Sequence, residues 1–488
     1  MRDLATDGLD LLPSDVAYAD IRVVYRRHEG LHVQDGRVSP VVDSESAGIG
    51  LRVLIGGQWG FAATSRTERA ALAVLVDGAV GQARAAAGAG GGRRGLGDPV
   101  TTRACWSSPV VTDPFSVPLG DKVDLLLQAS ALMSGGASGG CRLTAEASMD
   151  FFRDRKVFAN TEGAVIEQAI TESGAGLLAT ATGGGDVQRR SYPQSVPRAI
   201  RGQRGDFATG GYEHVLGLDL LGNAGRVGEE ASALLTAPQC PSETTTLIVS
   251  GTQMAQLVHE TAGHAMEADR VLGTEASLSG ATYATPQRRG SFRFGSDLVT
   301  VFADATLSGG LGTFGFDDEG VPGQRVDLVR GGVFRGYLSG RESAAAIGEA
   351  PTGASRADGW ARVPLVRMTN VCLAPGESSL AEMVAGTERG VLIDMNRTLS
   401  IDDVRMSFRF GAEVGWEIRD GKVGRMLRNC SYSGVTPRFW AGCDAIGGPD
   451  EFRLYGIPSC NKGEPLQVAH IGHGTVPARF RNVRVGTR

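Results

Sequence analysis

The sequence predicts an α+β protein of two or three domains, and three observations support this class. First, its 488 residues are more than one ordinary hydrophobic core organises. Second, segments rich in β-branched residues end at glycine pairs typical of hairpins, and amphipathic helical segments lie among them. Third, residues 144–190 contain several short strand-like segments in succession, which predicts an antiparallel meander.

The first strands are predicted close to the N-terminus. Residues 19–25 and 48–55 are rich in Val and Ile, whose branched side chains suit the pleated surface of a sheet. The second segment ends at the glycine pair 56–57, a hairpin signal, and residues 60–62 begin the returning strand. Neighbouring strands in this region are therefore expected to be antiparallel.

Helices are predicted at three places in the first half of the chain. Ser65 and Glu68 have the spacing of a capping box, so a helix is expected from there to about residue 87. Amphipathic patterns predict two further helices, over residues 121–133 and 224–237.

The chain is predicted to divide into an N-terminal domain over residues 1–238 and a second domain over residues 239–488. Pro238 and Pro241 follow the last helix of the first half, where a boundary is favoured. A glycine-rich stretch near residues 88–99 does not have the composition of a packed core, which predicts a loop or linker.

The second domain is expected to open with a strand at residues 244–250. A helix follows that carries Met254, Leu257 and Val258 on its apolar side. Beyond residue 290 the pattern indicates mostly short strands and turns.

Composition limits the classes of partner. The formal net charge of −5, from 49 basic and 54 acidic residues, gives no basic surface for nucleic acid and no polybasic membrane anchor. No run of about 18 apolar residues occurs, so no membrane-spanning helix is expected. The N-terminus does not have the pattern of a secretory signal. The seven cysteines are scattered and form no C-x-x-C pair, which favours a reducing cytoplasm over a disulfide framework.

The strongest chemical signal is the group of His259, Glu260 and His264 near the end of the helix that follows residue 250. Imidazoles bind zinc, and an adjacent carboxylate is able to deprotonate a water molecule that the metal activates. The histidines are five positions apart, whereas the familiar zinc-peptidase helix spaces them by four.

This spacing has a structural consequence. Five steps along a regular helix leave two side chains roughly 140° apart, so the imidazoles would not share one ion. A π-helical turn would return His259 and His264 to one face, and Gly263 lowers its cost because it has no Cβ atom. The sequence therefore predicts a local helix irregularity if both histidines bind metal.

Two questions stay open at this point. Two histidines and a glutamate on one helix also occur as surface residues or as a satisfied pair in a core. Catalytic zinc has three protein ligands, and spacing does not select the third. The candidates are His28, His32, His214, His470, His473 and the seven cysteines. Glu267 and Asp269 are near enough in sequence to be ligands or to orient the ligands.

Residues 259–269 resemble the H-E-x-x-x-H signature of the TldD/PmbA metallopeptidase family, on its TldD, catalytic side. The resemblance continues in the right order over nearly the whole chain. The other matching segments are residues 18–22, 48–54, 315–320, 367–370 and 459–463. Two departures are Asn461 in place of a glycine and residues 396–403 in place of a Gly-rich loop. In these features the chain resembles an actinobacterial-type subgroup.

The resemblance implies a zinc site of His259, His264 and Cys460, the last as a thiolate, with Glu260 as the general base. It also implies a two-domain α+β fold. In that fold an N-terminal domain combines an antiparallel sheet with helices, and a mainly antiparallel, barrel-like C-terminal domain carries the metal-binding helix.

The expected activity is hydrolysis of short or unfolded peptides, for proteolysis or peptide maturation. The resemblance implies a heterodimer with a homologous TldE/PmbA-type subunit, and otherwise a homodimer is expected. Three alternatives remain. The chain would be a non-catalytic subunit of such a complex, an amide-cleaving tailoring enzyme of natural-product biosynthesis, or a structural protein without metal.

Overall fold

The structure is a computed structural model, and it describes residues 1–89, 95–195, 205–275 and 281–486. The linker predicted near residues 88–99 lies partly outside the described residues. Within them, the chain forms a large N-terminal sheet covered by helices and a C-terminal barrel with smaller sheets around it.

The described part of the first half contains one nine-stranded sheet. Its strands are β1 (Tyr18–Gln34), β2 (Arg37–Val38), β3 (Val42–Ile55), β4 (Gln58–Thr64), β5 (Arg103–Ser107), β6 (Arg142–Asn160), β7 (Val165–Gly183), β8 (Asp186–Tyr192) and β9 (Asp206–Thr209). The order is β4-β3-β1-β6-β7-β5, with β2 beside β1, and with β8 and β9 beside β7. All of these pairs are antiparallel except β5 with β7, which confirms the predicted hairpin and meander.

Helices cover one face of this sheet. They are α1 (Arg2–Asp10), α2 (Ala70–Gly88), α3 (Leu119–Ser134), α4 (Glu213–Gly217) and α5 (Leu220–Leu234). The covered face is apolar because alternate residues of each strand point to it, such as Ile21 on β1 and Met149 on β6. The helices predicted over residues 121–133 and 224–237 are present as α3 and α5 with shifted ends.

The capping box predicted at Ser65 and Glu68 is wrong. The helix begins at Ala70, and no side chain caps its first turn. Strand β4 extends to Thr64, and Thr64 Oγ1 accepts a hydrogen bond from the backbone N–H of Arg66. Residues 65–69 therefore form the turn out of the strand, and Ser65 lies too early to cap the helix. The predicted end near residue 87 is confirmed.

Helix α2 is long and apolar enough to cross a membrane by length and composition. One of its faces is buried in the same apolar cluster as the sheet, through Leu72, Val76 and Ala79. A core helix has the same length and composition, so this observation is weak support for a membrane span.

The opposite face of the sheet carries buried charged residues that meet the second half of the chain. Arg52 on β3 contacts Glu319 at 3.2 Å. Lys156 Nζ on β6 contacts Asp318 Oδ1 at 2.5 Å. Charges buried in this way are paired because an unpaired charge is costly away from water. These pairs join the two halves of the chain.

The second half contains the following elements in chain order: β10 (Thr244–Val249), α6 (Gly251–Val258), α7 (Ala268–Val271), β11 (Val301–Asp304), β12 (Arg325–Arg330), β13 (Val333–Phe334), α8 (Arg341–Ala346), β14 (Ser355–Arg356), β15 (Leu365–Val366), β16 (Val371–Leu373), α9 (Leu380–Ala385), β17 (Arg389–Ile401), β18 (Ser407–Arg419), β19 (Lys422–Leu427), β20 (Ser431–Val435), α10 (Thr436–Ala441), β21 (Cys443–Ile446), β22 (Arg453–Lys462), β23 (Gln467–Thr475) and β24 (Ala478–Val485).

Strands β10, β17, β18, β20 and β24 pair in this order, and β24 pairs back with β10. The ring is closed, which confirms the barrel-like C-terminal domain. Its pairs are antiparallel except β10 with β17. Strands β17 and β18 have 13 residues each and are longer than the short strands predicted beyond residue 290. Their register shifts between Asn396 and Thr398, which interrupts the alternation that would have revealed one long strand.

Helix α6 lies on the barrel. Its Met254 and Leu257 belong to the same buried apolar cluster as Ile393 of β17 and Phe410 of β18. The end of α6 is therefore held in a fixed position relative to the barrel. The hairpin of β22 and β23 packs beside it and also contacts β9 of the first sheet.

Candidate metal centre

The helix that carries the paired histidines changes its winding where they begin. After α6, His259–Gly263 form a π-helical turn, and the N–H of His264 donates to the carbonyl of His259. The irregularity predicted from the five-residue spacing is confirmed. Gly263 allows a close approach here, because a Cβ atom would lie 2.1 Å from the sulfur of Met368. A longer side chain is excluded unless Met368 moves.

The π-turn brings the two imidazoles to one side, where they meet a cysteine from a distant strand. Cys460 on β22 places its sulfur 3.7 Å from Nε2 of His259 and 3.5 Å from Nε2 of His264. All three side chains are buried. Their ligand atoms lie within 4.8 Å of one another, and within the described residues no other such group of three occurs. The other histidines that the sequence left open do not belong to it.

Hydrogen bonds determine which nitrogen of His259 faces the sulfur. His473 Nδ1 lies 2.9 Å from the carbonyl oxygen of Val371, to which it must donate. His473 Nε2 is then an acceptor, and it receives the Nδ1–H of His259 at 3.0 Å. Burial lowers the pKa of His259 and holds that of His473 well below its usual value, so both rings are neutral. His259 therefore presents the lone pair of Nε2.

His264 is arranged in the same way by a carboxylate. Its Nδ1 lies 2.9 Å from Oε2 of Glu267, so the Nδ1–H is used and Nε2 is left to face Cys460. Burial alone would raise the pKa of Glu267, but Lys462 and His264 hold it well below its usual value. Glu267 also accepts from Arg270 Nε at 2.9 Å.

Glu267 and Asp269 thus contact cations and His264 rather than the three converging ligand atoms. Lys462 Nζ lies 2.7 Å from Asp269 Oδ1 and 3.2 Å from Glu267 Oε2. Both carboxylates therefore belong to one ionic cluster around Lys462, and Glu267 links this cluster to Nδ1 of His264. Of the two roles that the sequence left open for them, the contacts favour orientation of a ligand.

The sulfur of Cys460 lies in an environment that favours its thiolate. Burial raises the pKa of the thiol, but His264 and Arg367 outweigh burial, and the net shift is downward. Arg367 Nη2 also donates to the carbonyl oxygen of Cys460 at 2.5 Å. Two imidazole nitrogens and a thiolate form a donor set that zinc accepts. The residues present therefore fit a metal ion.

Glu260 lies beside these three residues, and both of its carboxylate oxygens are contacted. Gln256 Nε2 donates to Oε1 at 3.2 Å, and Arg405 Nη1 donates to Oε2. Burial raises the pKa of Glu260, whereas Arg405 and the two histidines lower it, with a net downward shift. The carboxylate is therefore ionised and able to accept a proton.

A cavity of about 280 Å³ lies against His259, Glu260, His264 and Cys460. Its far wall comes from the end of β17 and from Arg405 in the turn before β18. Larger cavities of about 580 and 490 Å³ are lined by neither of these histidines nor by Cys460. Of these three cavities, the small one adjoins the paired histidines and Cys460.

Sequence reasoning missed His473 and Arg405 as parts of this site. His473 was one of several histidines that spacing did not distinguish. Its strand partner is Tyr455, so a pairing of β22 with β23 would have placed it on the same hairpin as Cys460. Arg405 had no signal, because a single arginine in a turn has no characteristic pattern.

Comparisons with known proteins relate the chain to metallopeptidases. Residues 242–486 match the family model described as PmbA/TldA metallopeptidase C-terminal domain, and residues 19–83 match that of metallopeptidase domain 1. A metalloprotease of Methanothermobacter thermautotrophicus is 30% identical over 491 residues, covering 99% of each chain. A zinc metalloprotease TldD homolog of Saccharolobus solfataricus is 27% identical over 218 residues, covering 44% of this chain and 46% of its own.

Among solved structures, TldE from Thermococcus kodakarensis superposes with a TM-score of 0.73 at 16% identity and covers all of both chains. This likeness shows a shared fold. The likeness to the metalloprotease of M. thermautotrophicus also shows the family, because the 30% identity extends over almost the whole of both chains. The chain is therefore a metallopeptidase and belongs to the PmbA/TldA family, which is the TldD/PmbA family that its sequence motifs resemble.

Proposed function

We propose that this metallopeptidase depends on zinc and hydrolyses short or unfolded peptides. The observation that carries the proposal is the convergence of two imidazoles and Cys460 beside the ionised Glu260. Zinc, when bound by His259, His264 and Cys460, supplies a Lewis acid that polarises the scissile carbonyl and activates a water molecule. The zinc named for the S. solfataricus relative supports the choice of metal.

The chain's own residues divide the remaining work. Glu260 takes the proton of the attacking water and later donates it to the leaving amine. Gln256 holds one oxygen of Glu260 and leaves that carboxylate little freedom to rotate. His473 and Glu267 keep His259 and His264 in the tautomers that present Nε2.

The proposed substrates are peptides without folded structure. Glu260 is only 7% exposed, and the adjoining cavity of about 280 Å³ has room for a few side chains. A folded protein would not bring an amide bond to such a buried carboxylate, whereas an extended segment would. Incubation with unstructured peptides therefore tests the substrate class directly.

We also propose a homologous TldE-type subunit as partner and the cytoplasm as the compartment. The fold shared with T. kodakarensis TldE supports a partner of the same fold. All seven cysteines are free thiols, and a reducing compartment would keep Cys460 available for metal. Light scattering of the chain alone and with a co-expressed homologue tests the assembly. A homodimer is the alternative outcome.

The deciding experiment on the activity is Glu260→Ala. Loss of the general base should lower peptide hydrolysis at least about 100-fold, while zinc content stays near one ion per chain. Glu417→Gln is a matched control, because Glu417 pairs with Arg419 and Arg425 far from the site. The wild-type chain should lose hydrolysis with a chelator and regain it with zinc. Full activity of Glu260→Ala would exclude the assignment.

A further inference from the structure

Arg405 is a buried arginine whose hydrogen-bonding capacity is only partly used. It is 6% exposed and lines the cavity beside His259, His264 and Cys460. Its Nη1 donates to Glu260, but within the described residues its buried Nε has no hydrogen-bond partner. The guanidinium therefore keeps donors that are not committed to the protein, at a wall of the cavity beside the metal centre.

The backbone of Arg405 is held in an unusual conformation that directs this side chain. Its φ of 62° lies in the left-handed region, which an arginine rarely adopts. Its N–H donates to the carbonyl of Asp402 at 3.0 Å, and Thr436 Oγ1 donates to its carbonyl oxygen at 2.7 Å. The turn between β17 and β18 is thus fixed on both sides of Arg405. Non-glycine residues in this conformation cluster at functional sites.

We propose that Arg405 is a catalytic residue that binds the oxygen of the scissile carbonyl as negative charge develops there. The proposal rests on the proposed peptidase function and goes beyond it, because it assigns an oxyanion-binding group outside the metal-ligand motif. A guanidinium has five N–H donors in a rigid fork. One donor on Glu260 and another on the substrate oxygen would place proton acceptor and oxyanion side by side.

The charges balance in the proposed step. Before the reaction, the positive Arg405 faces the negative Glu260. The oxygen of water forms a bond to the carbonyl carbon, its proton passes to Glu260, and the π pair of the carbonyl moves onto the carbonyl oxygen. Glu260 is then neutral and the negative charge lies on that oxygen. Arg405 exchanges one anion for the other without moving, and no buried charge is left unpaired.

The test uses the full zinc-loaded chain with Arg405→Gln and Arg405→Lys. Arg409→Gln is the matched control, because Arg409 lies near the start of β18, does not line the cavity, and donates to the carbonyl oxygen of Gly486 at 3.1 Å. The probes are a fluorescence-quenched unstructured peptide and a phosphinic peptide of the same sequence, whose tetrahedral anion imitates the intermediate. The quantities measured are kcat, KM, zinc content and the Kd for the phosphinic peptide.

For Arg405→Gln we expect kcat to fall about 100-fold, with KM within about threefold of wild type and zinc content unchanged. The affinity for the phosphinic peptide should fall by a similar factor. Arg405→Lys keeps the charge but not the fork, so both losses should be about tenfold. Arg409→Gln should behave as wild type. If Arg405→Gln does not fold, the lysine variant alone decides by the same two measurements.

Two results would overturn the proposal while the peptidase function stands. One is an Arg405 variant that keeps kcat within about twofold of wild type. The other is a fall in kcat with unchanged affinity for the phosphinic peptide, which would mean that Arg405 only positions Glu260. A wild-type chain that binds zinc but hydrolyses no peptide would instead refute the proposed function, and the oxyanion role with it.

Discussion

At the candidate metal centre, single residues determine which ring nitrogen of each histidine carries the proton. His473 is fully buried, and its hydrogen bond to Val371 leaves Nε2 as an acceptor for His259. Without that acceptor, the Nδ1–H of His259 would be buried and unpaired, and the other tautomer would become competitive. A residue outside the proposed ligand set thus fixes the tautomer of one within it.

We expect His473→Ala to lower zinc affinity by about 10- to 100-fold, which is the usual effect of removing a group that orients a ligand. His473→Gln offers an amide oxygen as acceptor and should recover part of the loss. His32→Gln is the control, because His32 pairs with Ser39 and Glu146 on the first sheet. Competition with a chromogenic chelator measures the affinities. Equal affinity of His473→Ala and wild type would contradict the role of His473.

At the scale of elements, the π-turn is the feature that brings the imidazoles of His259 and His264 together. The spacing of five positions predicted the irregularity, because no regular helix places His259 and His264 on one face. The turn exists where Gly263 packs against Met368, which fixes how closely the chain approaches. The irregularity is therefore specified by a local glycine and by a distant side chain that the sequence did not reveal.

Gly263→Ala should disturb the turn, because its Cβ atom would lie 2.1 Å from the sulfur of Met368. We expect lower zinc content and a lower melting temperature of the zinc-loaded chain. The double variant Gly263→Ala with Met368→Ala removes the clash and should recover part of the zinc content. Gly225→Ala in α5 is the control, because its Cβ atom would meet nothing within 4 Å. Full zinc binding by Gly263→Ala would show that the close approach of Gly263 to Met368 does not determine the geometry of the turn.

Local patterns predicted elements better than their ends or their partners. The strands of the first sheet and the helices α2, α3 and α5 were predictable from β-branched runs and amphipathic spacing. The start of α2 was not, because β4 and its turn use the residues that would have capped it. Glu260 and the histidines came from one local motif. Cys460 needed the family resemblance, since its approach to His264 depends on tertiary packing.

At the scale of the whole molecule, the two halves share buried polar contacts and support the site together. The predicted division at residue 238 lies between the end of α5 at Leu234 and the start of β10 at Thr244, and it stays a prediction. The hairpin that carries Cys460 also meets β9, where Gly456 N donates to Asp206 Oδ1 at 2.8 Å. The first sheet thus helps to hold the strand from which Cys460 approaches the histidines.

Asp206 should make this junction sensitive to pH. Burial raises its pKa from the usual 3.8 to about 6, although His214 and the hydrogen bonds from Gly456, Phe207 and Gln194 oppose the shift. Because the folded state binds the proton more tightly, this group's contribution to stability is fully present below about pH 4. It is lost as the pH rises to about 6, and the difference corresponds to roughly 3 kcal/mol.

We therefore expect Asp206→Asn to remove this part of the pH dependence. Asn keeps an oxygen that accepts from Gly456 and Gln194 but does not ionise, so the variant should gain stability relative to wild type between pH 4 and about 7. Urea unfolding of both chains at several pH values measures the difference. Asp186→Asn is the control, because Asp186 is half-buried and its pKa is lowered rather than raised, chiefly by its hydrogen bond from Gln188. A constant difference between wild type and Asp206→Asn over this range would mean that Asp206 stays ionised at the junction.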